Sequence, residues 1–172
     1  MFKKIILIIP FILILFVASC GKETKITFNS NGGSPIESIQ TEKDFNVEKL
    51  PTPLKDDYSF IGWYLDEEFS TPIIGNIPKD LVFTLYAKWK AKDYTITFNS
   101  NGGSDVNSIT SEYGAVVVKP TNPTKADYTF VDWYSDASLE TAYEFTTMPS
   151  GGITLYAKWK AKDYTITFNS NG

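Results

Sequence analysis

One stretch recurs at a fixed distance and governs what this chain can fold into. ITFNSNG runs from Ile26 to Gly32, and YTITFNSNG runs from Tyr94 to Gly102 and again from Tyr164 to Gly172. Ile26, Ile96 and Ile166 are 70 residues apart. Other landmarks keep the interval. YSFIGWY at Tyr58–Tyr64 returns as YTFVDWY at Tyr128–Tyr134, and LYAKWKAKD at Leu85–Asp93 returns unchanged at Leu155–Asp163. Residues 25–93 and 95–163 align without a gap and agree at 33 of 69 positions. Identity at that level makes the chain a tandem array with a period of 70. Repeat 1 is 25–93, repeat 2 is 94–163, and 164–172 is the opening strand of a third copy. A lone strand cannot fold without partners, so 164–172 is expected to be disordered or to borrow a sheet edge. The array is expected to continue beyond Gly172, which would make this chain the membrane-proximal end of a longer surface protein.

Each period is a small domain, near the size where a single core gives only marginal stability. The chain has one cysteine, outside the repeats, so no disulfide can help. Aromatic side chains must carry the burial. All four Trp (63, 89, 133 and 159) and all ten Tyr lie in the repeats or the final fragment.

The N-terminus carries a separate signal. A basic start, Met1–Lys4, precedes thirteen apolar residues, Ile5–Val17. That run is short for a spanning helix and suits a signal-peptide core. Pro10 within it argues against a long packed helix. Val17-Ala18-Ser19-Cys20 then resembles the bacterial lipobox. The resemblance implies cleavage between Ser19 and Cys20 and a diacylglyceryl thioether on Cys20, with fatty acylation of the new amino terminus. Two or three acyl chains anchor stably where one does not. Residues 1–19 are thus read as a lipoprotein signal peptide and 20–24 as the lipidated cysteine and a short linker. At four residues the linker reaches at most ~14 Å, so repeat 1 is expected close to the membrane, on the outer face. Lys90–Asp93 joins the repeats without Gly, Pro or Ser and reads as a stiff junction.

Charge and residue types exclude several functions. The chain is −4 overall, and losing Lys3 and Lys4 leaves 14 lysines against 20 acids, a net −6. Such a balance does not suit a phosphate backbone, so no nucleic-acid partner is expected. There is no His and no Arg, which removes histidine triads and histidine-ligated metal. Asn31-Gly32-Gly33-Ser34 lacks the lysine and spacing of a phosphate loop. Asp66-Glu67-Glu68 could bind Ca²⁺, but repeat 2 has Asp136-Ala137-Ser138 there and the spacing is not an EF-hand loop. A solvated loop is the better reading. No catalytic residue, metal or cofactor is expected, apart from the covalent lipid.

Within a repeat, Ile26–Ser30 alternates as a half-buried strand with Ile26 and Phe28 inward. Asn31-Gly32-Gly33 makes a turn or bulge. Ser38–Glu42 and Ser108–Glu112 read as the returning strand. Asp44–Leu50 suits a short helix and Ala115–Val118 an extended segment, so this region stays open. Tyr58–Tyr64 is apolar on both faces, Phe60 and Tyr64 on one and Ile61 and Trp63 on the other, which predicts a central strand covered on both sides. Phe83–Lys90 alternates with Leu85, Ala87 and Trp89 inward and Thr84, Tyr86, Lys88 and Lys90 outward. The sum is four strands and at most one short helix.

TITFNSNGG, then PTK-DYTFVDWYSD, then ITLYAKWKA, in that order and twice, resembles the internalin-type B-repeat, also called the Listeria–Bacteroides repeat. The resemblance covers 25–163 and the final fragment. It implies a mainly β (α+β) fold, tandem small β-grasp-like domains of about 70 residues, each a sheet curling over a short helix, on a bacterial surface protein. Repeat 1 departs from the pattern at Leu50-Pro51 and across Pro72–Leu81. The family shares no catalytic residues, so none carry over.

Trp63-Tyr64 and Trp133-Tyr134 could stack on a sugar or peptide, but their strand spacing fits core packing. The outward rows Tyr86, Lys88, Lys90 and Tyr156, Lys158, Lys160 are the better candidate contact surface. Lysines there could instead blunt a sheet edge. The leading functional reading is an adhesion or protein-interaction module for a host or envelope protein or glycan. A spacer stalk presenting a distal domain is the alternative. A substrate-capturing lipoprotein would need one large pocketed domain, which a period of 70 does not supply.

Overall fold

The computed structural model describes residues 23–169. The signal segment, with Ser19 and Cys20, and the last three residues of the final fragment lie outside the described residues. In repeat 1, β1 (Thr24–Asn29), β2 (Ile39–Thr41), β4 (Tyr58–Tyr64) and β6 (Val82–Ala91) form a sheet in the order β2-β1-β6-β4. The central pair β1 and β6 is parallel, and the outer pairings are antiparallel. Two short strands, β3 (Phe45–Asn46) and β5 (Asn76–Ile77), pair separately. Repeat 2 repeats the design with β7 (Asp93–Asn99), β8 (Ile109–Glu112), β9 (Tyr128–Tyr134) and β10 (Ile153–Ala161), ordered β8-β7-β10-β9. This is the mainly β, curled-sheet fold expected, in two tandem units.

The open region resolves differently in the two copies. In repeat 1, Asn46 caps a single 3-10 turn, Val47–Lys49, by accepting from the Glu48 amide at 2.8 Å. Pro51 and Pro53 follow and cannot continue a helix. In repeat 2 the segment is extended, with Val116 bridged to Thr147. The short helix of the resemblance is therefore no more than this one turn among the described residues.

Each sheet buries one face. Ile26, Trp63, Ile77, Leu85 and Ala87 form the first core, and Ile96, Val117, Trp133, Met148, Leu155 and Ala157 the second. The alternation read for β1 and β6 holds: Ile26, Leu85 and Ala87 are fully buried, and Phe28 and Trp89 pack on the same cluster. On the outer face, Thr27 and Thr84 meet across the parallel pair at 2.7 Å, as Thr97 and Thr154 do at 2.8 Å.

The reading of Tyr58–Tyr64 needs correction. It is β4, an edge strand, not a central one. A bulge between Phe60 and Gly62 inserts one residue, so Phe60 and Trp63 share the inner face with ring centroids 5.4 Å apart. Ile61, the extra residue, is half exposed. The shift after Lys158/Trp159 does the same for Phe130, Val131 and Trp133. A bulge breaks the period-2 rule by one residue, which is why both faces looked apolar.

The three recurring motifs meet at one place. The Asn31 side chain donates to the Ala87 carbonyl at 2.8 Å, Trp89 Nε1 donates to Ser30 O at 2.9 Å, and Lys55 Nζ donates to Asn31 O at 2.8 Å. Asn101, Trp159 and Lys125 do the same in repeat 2, at 2.8, 2.8 and 2.7 Å. Asn31 and Asn101 sit at φ 47° and 48°, a left-handed conformation that Asn tolerates. The strand, its turn and the Trp strand therefore fold as one joint.

The third copy joins neither sheet within the described residues. Residues 162–169 form no strand, and Tyr164, Ile166 and Phe168 are largely exposed.

Candidate contact surface

The two rows lie where the alternation put them, on the face opposite the core. Tyr86 and Lys88 are half-buried and Lys90 is exposed; Tyr156, Lys158 and Lys160 follow the same sequence. They do not line a sheet edge. β6 lies between β1 and β4, and β10 between β7 and β9, so the edge-blunting alternative does not hold.

The register of β4 against β6 ties part of each row down. Tyr64 is paired with Tyr86, and this brings Lys88 Nζ over the Tyr64 ring, 4.9 Å from its centroid. Lys158 sits over Tyr134 at 4.5 Å and also donates to Leu139 O at 3.1 Å. A cation–π contact of this kind holds a lysine across an aromatic face. Tyr86 faces the acidic loop, where burial and then the Glu67 carboxylate, with Glu68 behind it, push its phenol above the usual value. Lys90 and Lys160 are left as the exposed cations of the rows. Sequence reasoning placed all six residues on the correct face but missed their partners Tyr64 and Tyr134, which it weighed as core or as a stacking face.

The acidic loop builds its own turn. Asp66 accepts from the amides of Ser70 and Thr71, both at 2.8 Å, and from Ser70 Oγ. Asp136 accepts from Ser138 Oγ and from the amides of Glu140 and Thr141. These donors hold the Asp136 carboxyl down to about 2, with Ser138 the largest cause. Both carboxylates are thus engaged in capping the loop. Trp63 and Trp133 are 5% and 0% exposed, so the core reading stands and the stacking reading does not.

Sequence reasoning placed a stiff junction at Lys90–Asp93 but missed the contacts that restrain it, a second repeated geometry centred on Asp57. β6 ends at Ala91 and β7 begins at Asp93. Lys92 N donates to Asp57 O at 2.9 Å, and Tyr113 N donates to Lys92 O at 2.8 Å. The Tyr94 hydroxyl donates to Asp57 Oδ1 at 2.9 Å, and Ser150 Oγ donates to the same oxygen. The Tyr113 ring stands edge-on to Tyr58 and Tyr94. One period later the pattern starts again: Lys162 N donates to Asp127 O at 2.8 Å and the Tyr164 hydroxyl to Asp127 Oδ1 at 2.8 Å. The Asp57 carboxylate as acceptor raises the Tyr94 phenol above its usual value, and Asp127 does this to Tyr164. The recurrence of Asp57 and Tyr94 at the same interval was the available signal.

Comparison with known proteins identifies the repeat. The family model for the Listeria-Bacteroides repeat domain matches residues 25–88 and 94–158. The chain is 38% identical over 157 residues to a protein of Evansella cellulosilytica named "Putative Gly-rich membrane protein", covering 87% of this chain and 18% of that one. A second Evansella cellulosilytica protein, named "Putative membrane protein", is 38% identical over 151 residues, covering 86% of this chain and 22% of its own length. Internalin H of Listeria monocytogenes is 33% identical over 149 residues, 83% of this chain and 24% of that protein. The chain thus spans a quarter or less of the length of these relatives.

Proposed function

The chain belongs to the Listeria-Bacteroides repeat domain family, and on that premise we propose that it is a non-enzymatic surface protein, lipid-anchored through Cys20, whose repeats make contacts outside the cell. Relatives named as membrane proteins and as an internalin support a place in the cell envelope. The lipobox supports the outer face of the plasma membrane, with acyl chains on Cys20 as the sole prosthetic group. Labelling cells with a fatty-acid analogue should mark the wild type and not Cys20→Ala. Equal labelling of both would sink the anchor.

One observation carries the contact reading. The same Tyr-Lys-Lys row stands on the outer face of both units, each with an exposed lysine, Lys90 and Lys160. Two weak identical sites on one stalk can act together with far greater strength than either alone. Their ammonium heads suit acidic side chains of a host or envelope protein, or an acidic glycan. The mature chain should bind cells or matrix saturably. The pair Lys90→Glu and Lys160→Glu should weaken that binding by about tenfold or more, since both sites of a bivalent contact are lost. Binding that ignores the charge reversal would rule out the rows.

The joint at Asp57 favours a second reading, a spacer. Backbone bonds to Lys92 on both sides and the shared Asp57 carboxylate restrain rotation between units. A restrained joint suits a stalk that holds something away from the membrane. Absence of any saturable binding would leave this reading.

A further inference from the structure

The two repeats differ most at one end, and that end has a different neighbour in each. In repeat 2, Ser150, Gly151 and Gly152 lie at the start of β10, beside Tyr94 and Tyr113. This end faces repeat 1: Ser150 and Tyr94 donate to Asp57, and Tyr113 packs on Tyr58. In repeat 1 the same positions are Asp80, Leu81 and Val82, with Thr24 and Lys43 beside them in sequence alignment. Repeat 1 follows a four-residue linker and Cys20.

The chemistry of that end changes accordingly. Leu65, Leu81 and Val82 are 43%, 42% and 77% exposed. Their counterparts 70 residues later are Ser135, Gly151 and Gly152. The three apolar side chains border an open groove of about 330 Å³, with Ile73, Ile77 and Pro78 along it. The groove is fixed to the start of the fold. Thr24 is fully buried, and its hydroxyl donates to Pro78 O at 3.1 Å and accepts from Leu81 N at 3.2 Å. Lys25 N donates to Leu81 O at 2.8 Å. The apolar loop is therefore stitched to the last residue of the linker, Thr24, and to Lys25 after it.

The geometry points to the lipid bilayer as the occupant of this face: Leu65, Leu81 and Val82 seat repeat 1 on the membrane to which Cys20 is attached. This rests on the lipid-anchor reading above. Four residues place Thr24 within ~14 Å of the anchored cysteine. Apolar side chains at an interface enter about 5–10 Å, to the boundary of headgroups and acyl chains. A linker of that reach allows the loop to come to that depth. Charges of both signs border the loop, Glu23, Lys25, Lys79 and Asp80, so the attraction is apolar and should not depend on anionic lipid. Seating one end of repeat 1 on the bilayer would fix the direction in which the stalk points. The second unit would follow through the Asp57 joint.

The test couples the mature chain, beginning at Cys20, through its thiol to a maleimide phospholipid in phosphatidylcholine vesicles. A polarity-sensitive fluorescent amino acid replaces Val82 or, as control, Val116, which is 80% exposed in repeat 2. Both positions are exposed enough to accept the probe without disturbing the core. Doxyl-labelled lipid should quench the probe at 82 at least about threefold more than at 116, as expected for a side chain at the acyl boundary. Leu65→Asn with Leu81→Asn should return the position-82 probe to the quenching seen at 116. Equal quenching at 82 and 116 would overturn the proposal. So would shielding at 82 that appears only at surface densities where copies meet, since that would assign the face to a second copy. The coupling bypasses cellular lipidation. Failure of the fatty-acid label in cells and failure of lipid contact at 82 are therefore separate results.

Discussion

Trp133→Ala is expected to unfold repeat 2 and leave repeat 1 folded. Trp133 is fully buried. Its ring lies 4.8 Å from Phe98 and 5.4 Å from Phe130, centroid to centroid. Removing a buried Trp side chain costs about 3–5 kcal/mol. A single core of this size rarely supplies more than about 3–5 kcal/mol in total. The loss therefore consumes the stability of the unit. The two core clusters share no residue, so the damage should stop at the joint. Amide NMR of the mature chain should show repeat 2 resonances collapsing to the unfolded range. Repeat 1 resonances should stay dispersed, apart from those near Asp57, Tyr58 and Lys92. Trp63→Ala should give the mirror result. Loss of both repeats from either substitution would show that the joint makes them one cooperative unit.

That separation into two cores was legible from the interval alone, because a repeat that recurs without gaps must bury its apolar face within itself or against its copy. β1 and β6 were legible for a related reason. Their alternation is regular, and a regular period of two leaves one assignment of faces. β4 was misread because a bulge at Ile61 shifts the period; its one local mark, Gly62 inside the strand pattern, is replaced by Asp132 in repeat 2. Lys88 shows a different gap. Its outward direction follows from its own strand, but its seat over Tyr64 depends on the register of β4 against β6. That register pairs residues more than twenty positions apart, and the bulge at Ile61 shifts it. The junction at Asp57 was hidden for the same reason, since its partners Tyr94 and Ser150 belong to another unit. Ile77 and Met148 add a smaller lesson: equivalent core roles are filled one place out of step, across the very stretch where repeat 1 departs from repeat 2.

Gly33→Ala should be far more damaging than Gly75→Ala, although Gly75 has the more restrictive backbone. A methyl at Gly33 would stand 2.5 Å from Trp89 Cζ2, 3.1 Å from Leu54 O and 3.2 Å from Ser30 O. The ring cannot swing aside freely. Its Nε1 is held by Ser30 O at 2.9 Å, and its face is packed by Phe60 with centroids 5.4 Å apart. Forcing it out combines overpacking, about 1–3 kcal/mol, with loss of a buried hydrogen bond, about 1 kcal/mol. For a domain of this size, about 2–4 kcal/mol lowers the melting temperature by roughly 10–25 °C. Gly75 sits at φ 76° with nothing within 4 Å of the added methyl. Its substitution costs only the left-handed backbone, about 1–2 kcal/mol. Thermal unfolding of the two variants, followed by near-ultraviolet circular dichroism, compares the effects directly. Equal shifts would mean that Trp89 yields easily and that the turn and the Trp strand are separate features. A much larger shift at Gly33 would show that SNGG and AKWKA are two halves of one joint.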